Sequence, residues 1–232
     1  MATWDSADLL ARCKRQSGVP STTEFPADTD WYAWLTEAAG YYTSVWATHC
    51  PWFLMSGPTL LTSADGGYTY PLPTSTRVLA VEIYDTNPRG RLLRAGAFWD
   101  PGADYVWEGN QIRIPQGKTK TWSTGPYARY VAEPGDVAAA TEPTLQPDYA
   151  RILLVDHAVA LWSERGGMRD PAPFWQRERK RAWGDPAMPG DVGIIGNLKL
   201  QNPFLGSMAT GNQTTLTGLA TLDTGSGYVA IP

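Results

Sequence analysis

Histidine and cysteine are nearly missing from this chain, with two of each among 232 residues. Cys13 and Cys50 are too few for a disulfide framework and lack metal-ligand spacing. They fit a reduced, intracellular place of synthesis. His49 and His157 are the only imidazoles, which leaves little for general-base or metal chemistry. Asp156 directly precedes His157, and neighbours on a helix point in different directions, so the two form no dyad. His157 and Glu164 sit two turns apart on one face, too far to share a metal. A phosphate loop, a nucleophile elbow and a zinc pattern are all absent. "GDVGIIGN" spaces its glycines suggestively but lacks the strand-then-helix setting, and it is discounted. Neither a catalytic site nor a cofactor is expected.

Charge is scarce too. Charged residues make up 18% and the net charge is −4, which argues against whole-surface nucleic-acid binding. No apolar run approaches the ~18–20 residues needed to cross a bilayer. "MATWDSADLLARCKRQ" has no basic start followed by an apolar core, so no signal peptide is expected. Charge is scarcest at the end, where Asn202 to Pro232 hold one charged side chain, Asp223. A tail that floats in water is usually rich in ions.

What is present is aromatic and turn-rich: 11 Trp, 11 Tyr and 19 Pro, on a chain long enough to bury a real core. In "TWDSADLLARCKRQ", Thr3, Asp5 and Ser6 offer caps, Leu9, Leu10 and Cys13 recur at helical spacing, and Gly18 with Pro20 ends the segment. "DTDWYAWLTEAAGYYTSVWATH" predicts a helix capped at Asp28 or Thr29 and stopped by Pro51. Its buried stripe is Trp31, Leu35, Ala38, Tyr42, Val45 or Trp46, and His49. The middle turns to short runs rich in Val, Ile, Tyr and Trp: "YTYPLP", "RVLAVEIYD", "RLLRAGAFW", "DYVWEG", "QIRIPQG" and "YARYVAE". "NPRG" (Asn87 to Gly90) and "EGNQ" (Glu108 to Gln111) read as hairpin turns. In "VLAVEIY", Val78, Ala80, Glu82 and Tyr84 share one face, while Leu79, Val81 and Ile83 share the other. A third helix starts near Pro147. Its stripe is Ile152, Val155, Ala158 or Val159, and Trp162, widened by Leu154 and Leu161; Gly166–Gly167 ends it. "PAPFWQRERKRAW" gives a short helix anchored by Phe174 and Trp175. From Gly184 onward Gly, Pro, Thr and Asn dominate, and helix is not expected.

The fold class is therefore α+β. A helical bundle takes residues 1–56 and 147–184, a small antiparallel β insertion takes 57–146, and 185–232 form an extended arm. Three stretches of this layout resemble the head–tail connector (adaptor) proteins of tailed bacteriophages. They are the opening helix joined through a Pro-containing loop to "DTDWYAWLTEAAGYYTSVW", the passage "YTYPLPTSTRVLAVEIYD", and "PTLQPDYARILLVDHAVALWSERGG…FWQRERKRAW". The likeness covers about residues 3 to 184, and the last 48 lie outside it. It implies a structural virion protein, assembled in the host cytoplasm, and a homo-oligomeric ring, typically twelve-fold, below the portal protein. Such a ring extends the DNA channel, joins head to tail, meets a tail or nozzle protein and touches passing viral DNA only transiently. It also implies a C-terminal segment that docks on the portal.

The residues themselves suggest where contact falls. Phe204, Leu205, Leu216, Leu219, Leu222, Tyr228, Val229 and Ile231 are the candidates for portal or neighbour-subunit contact. An extended chain carrying them can add to another subunit's sheet edge through backbone hydrogen bonds. Arg165 to Arg181 hold six basic against two acidic side chains. Within that segment Arg177, Arg179, Lys180 and Arg181 are candidates to face the DNA channel or the portal, set against a merely solvated helix face. A conduit should not grip DNA hard, because each phosphate contact adds salt-dependent affinity that resists ejection. Two other classes stay open: a carbohydrate-binding module, with Trp99, Trp107 and Trp122 as the best stacking platforms, and an enzyme with a hidden site.

Overall fold

The structure, a computed structural model, describes residues 5–19, 26–85, 91–97, 99–115, 122, 125–139, 150–167, 170–200, 220–223 and 228–230. The chain is mixed α+β, as its patterning predicts, with five helices and two three-stranded antiparallel sheets among the described residues. It divides into two compact units, Met1–Ala38 with Pro147–Pro232, and Ala39–Gln146. No described helix is long and apolar enough to cross a membrane.

The first unit is helical. Helix α1, Ser6–Ser17, starts where the Asp5 carboxylate accepts the Asp8 N–H at 2.7 Å and stops at Gly18, whose φ of 74° is left-handed. Both ends use the local chemistry expected of caps. Leu9 and Cys13 face inward, and burial pushes the Cys13 thiol far up from its ordinary value. Helix α2, Asp28–His49, begins in this unit and buries Trp31, Leu35 and Ala38 along the predicted stripe. Helix α3, Ile152–Trp162, departs from its expected stripe: every residue from Leu153 to Trp162 is buried. With only Asp156 and His157 as ionisable groups, α3 is apolar nearly all round, and such a helix belongs at the centre of a core. Trp162 packs on Trp31 with ring centroids 5.9 Å apart. A π-turn, Ser163–Gly167, ends α3 at the glycine pair. Residue Pro147 lies outside the described residues.

Helix α4, Ala172–Trp183, follows as predicted. Helix α5, Gly193–Leu200, contradicts the expectation of no helix after Gly184. Gly193 and Gly196 weaken it, but Ile195 and Leu198 are fully buried and Asp191 Oδ1 accepts the Gly193 N–H at 3.1 Å. Tertiary burial and a cap therefore outweigh poor propensity.

The second unit continues α2, burying Tyr42 and Trp46 and leaving Val45 and His49 half-buried. A 3-10 turn, Pro51–Phe53, follows. The strands are β1 (Thr59–Leu60), β2 (Thr69–Pro71), β3 (Val78–Tyr84), β4 (Val106–Glu108), β5 (Gln111–Arg113) and β6 (Tyr127–Ala132). They form two sheets, ordered β1-β6-β3 and β2-β5-β4, over one core that includes Tyr70, Val78, Ile83, Ile112 and Ala128. The "EGNQ" turn is a two-residue hairpin joining β4 to β5, with Gly109 at φ 62°. "NPRG" lies outside the described residues.

Two strand expectations need correction. In β3 a register shift between Val78 and Ala80 inserts one residue. A bulge reverses the parity of the strand beyond it, so Val78 and Ile83 share the core instead of facing apart. The described residues of "RLLRAGAFW" form no strand. Only Leu92 and Ala95 make isolated bridges, and the Arg94 N–H is taken by the Asp104 carboxylate at 2.9 Å rather than by a neighbouring strand.

Trp122 joins this core edge-on to Tyr70, and its indole N–H donates to the Tyr70 hydroxyl at 2.9 Å. Tyr70→Phe leaves that donor unpartnered in a half-buried position, so unfolding of this unit should become easier by about 1–2 kcal/mol. Urea unfolding followed by Trp fluorescence measures it; an unchanged midpoint would show that the bond contributes nothing.

Candidate functional site

Among the described residues, Asp156, His157 and Glu178 are buried ionisable side chains that lie where α3 meets α4. Asp156 of α3 has a fully buried side chain. Arg177 and Arg181 stand one turn apart on α4, a spacing that aims both at the same point. Arg181 Nη1 lies 2.5 Å from Asp156 Oδ2, and Arg177 Nε lies 3.6 Å from Oδ1. The next residue of α3, His157, meets Glu178 instead, with Nδ1 3.1 Å from Oε1 in a buried contact. The two neighbours thus find separate partners, as expected from helical geometry. Burial raises the Asp156 carboxyl above the usual carboxylate range, against the pull of Arg181 and Arg177. Desolvation exceeds Coulombic recovery here, as buried ion pairs often show.

Around this lock, α4 and the turn that follows it form an open groove. One part, ≈530 Å³, is lined by Arg177, Lys180, Arg181, Asp185 and Met188 among others. The adjoining part, ≈640 Å³, is lined by Arg179, Trp183, Pro186 and Ala187 with Lys180 and Asp185. Lys180 Nζ pairs with Asp185 Oδ2 at 2.7 Å, which holds the Asp185 carboxyl below its ordinary value, helped by the Ala187 N–H. Of the four predicted basic residues, Arg177 and Arg181 are turned toward Asp156 and Lys180 toward Asp185. Arg179 alone forms no ion pair with any described residue. The groove contains cations, carboxylates and apolar surface, with no serine, cysteine or histidine among its lining residues. Such a surface can bind, and its lysine and Asp185 carboxylate are paired with each other. Among the described residues, no group of three or more His, Cys, Asp or Glu could hold a metal ion.

The other predicted contact residues are placed unevenly. Leu222 lies in strand β7 (Ala220–Asp223), and Tyr228 and Val229 lie in β8 (Tyr228–Ala230); the two strands pair antiparallel with each other. Phe204, Leu205, Leu216, Leu219 and Ile231 lie outside the described residues. Of the tryptophans considered as stacking platforms, Trp122 is held in the β core and Trp107 donates its N–H to the Gly109 carbonyl at 2.5 Å. Trp99 is 86% exposed.

Sequence reasoning missed the Asp156 lock and the groove. The Arg177/Arg181 spacing was a usable signal for the lock, since two cations one turn apart suit a single carboxylate. The groove had none, because the turn at Asp185–Asp191 supplies half its wall. No protein-family model matches the chain, and no curated protein matches it.

Proposed function

We propose that this chain is a structural subunit of a bacteriophage head–tail connector, a virion ring that sits below the portal and joins head to tail. The observation that carries the reading is the order of elements. Two helices, a β body with its own core, an apolar helix and a short basic helix follow one another, and the first unit is closed by segments from either side of the β body. A chain built this way offers two separate working surfaces, as a subunit clamped between a portal and a tail needs. The basic helix also suits a conduit. Most of its predicted cations already have carboxylate partners, which keeps the hold on passing DNA weak.

The portal is the partner of the C-terminal segment in this reading. Truncation after Leu200 tests it cleanly, because α5 with its buried Ile195 and Leu198 is retained. The expected result is an unchanged circular-dichroism melt with loss of portal capture, read by negative-stain imaging of protein mixed with the portal. Full-length protein should decorate the portal as a ring. A full-length chain that never joins the portal overturns the connector reading, and a truncated chain that joins it normally overturns the role of the arm. A strict monomer that binds glycans would favour a carbohydrate-binding module instead.

A further inference from the structure

We propose that Trp99 is a docking anchor that inserts into the α4 groove of a second copy of this chain, beside Arg179 and Trp183. The tryptophan sits at the tip of the Arg91–Tyr105 loop, 86% exposed. The loop is firmly braced for a segment that displays an apolar ring to water. Arg91 pairs with Asp104 at 3.3 Å and Arg94 with Asp100 at 3.0 Å. The Gly102 N–H donates to Asp100 Oδ1, the Gly96 N–H to the Tyr105 carbonyl and the Asp100 N–H to the Ala97 carbonyl. Leu93, Ala103 and Tyr105 root the base of the loop in the β core. A side chain at Gly96 would meet Ala103 Cβ at 2.6 Å, so the two arms are in close contact. An aromatic presented on a rigid support loses little entropy on docking, which is the property of an interface hot spot.

The chemistry of the loop narrows its partner. Its two arginines face two aspartates, so it carries no surplus charge to seek an anionic membrane or a nucleic acid. Its polar groups are largely committed to one another, which leaves few for the hydroxyls of a sugar. What it displays freely is the indole. The same chain carries a complement, the ≈640 Å³ groove with the apolar faces of Pro186, Ala187 and Trp183. Lys199 Nζ already lies 5.5 Å over the Trp183 ring, while Arg179 has no anionic partner among the described residues. A guanidinium stacks well on an indole face. Exposed Met188 and Val192 extend the apolar surface nearby.

An anchor and a groove at different places on one chain make a heterologous contact. Repeated, it gives a ring if the rotation closes and a filament if it does not. Its use in closing a connector ring rests on the function proposed above; the contact itself does not.

Sedimentation velocity over a concentration series, on the full chain alone, tests the contact. Wild type should gain mass with concentration. Trp99→Ala should weaken self-association by about 30-fold or more with an unchanged melt, since Trp99 is exposed. Ala187→Arg, which fills the groove, should do the same. Mixing the two variants leaves one intact anchor facing one intact groove, so a one-to-one heterodimer should form and growth should stop there. The proposal is overturned if wild type stays monomeric throughout, if Trp99→Ala associates like wild type, or if the mixture remains monomeric. Portal rings formed equally well by Trp99→Ala overturn the contact and leave the connector reading intact. Trp99-dependent association without any portal capture does the reverse.

Discussion

Arg181→Ala destabilises the helical unit by about 3 kcal/mol at neutral pH, the low end of what breaking a buried ion pair costs, because Arg177 remains near the same carboxylate. The cause is the charge left behind: Asp156 has no water to fall back on, and removing Arg181 takes its closest cation. The effect depends on pH in a definite direction. Burial already raises the Asp156 carboxyl in the folded state. The folded protein therefore holds that proton more tightly than the unfolded chain, and the resulting stability is full below the unfolded value and lost as pH rises through the raised folded value. Removing Arg181 raises the folded value further and deepens the loss at neutral pH. Urea midpoints for wild type and Arg181→Ala should converge in acid and separate toward neutrality. Asp156→Asn combined with Arg181→Ala should recover much of the deficit, because the amide carries no charge to strand. Equal midpoints at neutral pH would show that Arg177 alone satisfies the carboxylate.

Gly193→Ala should release α5 from the helical unit. Gly193 has a φ of 61°, and an added Cβ would stand 2.4 Å from the Gly184 nitrogen and 2.6 Å from the Ala182 carbonyl. Both obstacles are backbone and cannot swing aside. Gly184, at φ 92°, is equally confined, since its own Cβ would lie 2.0 Å from the Asp191 carbonyl. Two glycines thus let the end of α4 and the start of α5 touch, and Asp191 fastens the turn by accepting the Asp185 and Gly193 N–H groups. Strain and overlap together cost about 3 kcal/mol. Hydrogen exchange should rise selectively over Gly193–Leu200 while α3 stays protected. Gly190→Ala is the control: its φ is 86° but nothing lies within 4 Å of a built Cβ, so only about 1 kcal/mol of backbone strain is expected. Equal exchange in both variants would mean that crowding at Gly193 relaxes freely. Since this turn is also a wall of the groove, Gly193→Ala should weaken any partner held there.

Much of the architecture was legible because its causes are local. Asp5, Gly18, Pro51 and the Gly166–Gly167 pair delimit helices through chemistry confined to a turn, and Gly109 closes its hairpin the same way. The α2 stripe follows from spacing alone. The errors share the opposite cause. The bulge in β3 depends on how β6 lies beside it, and the failed strand at Arg91–Trp99 depends on a carboxylate ten residues beyond Arg94. Helix α5 exists because Ile195 and Leu198 find a core, not because "GIIGNLKL" favours helix.

The candidate site divides in the same way. Periodicity and caps, which act within a few residues, settled the mixed α+β class, the main helices and the position of α4. Whether a cation on α4 looks outward or inward was decided by Asp156, more than twenty residues earlier in the chain, because a desolvated carboxylate draws in whichever arginines the packing brings close. The groove likewise required α4 and the Asp185–Asp191 turn to be folded against each other, an arrangement that two glycines make possible and that no single stretch of sequence encodes.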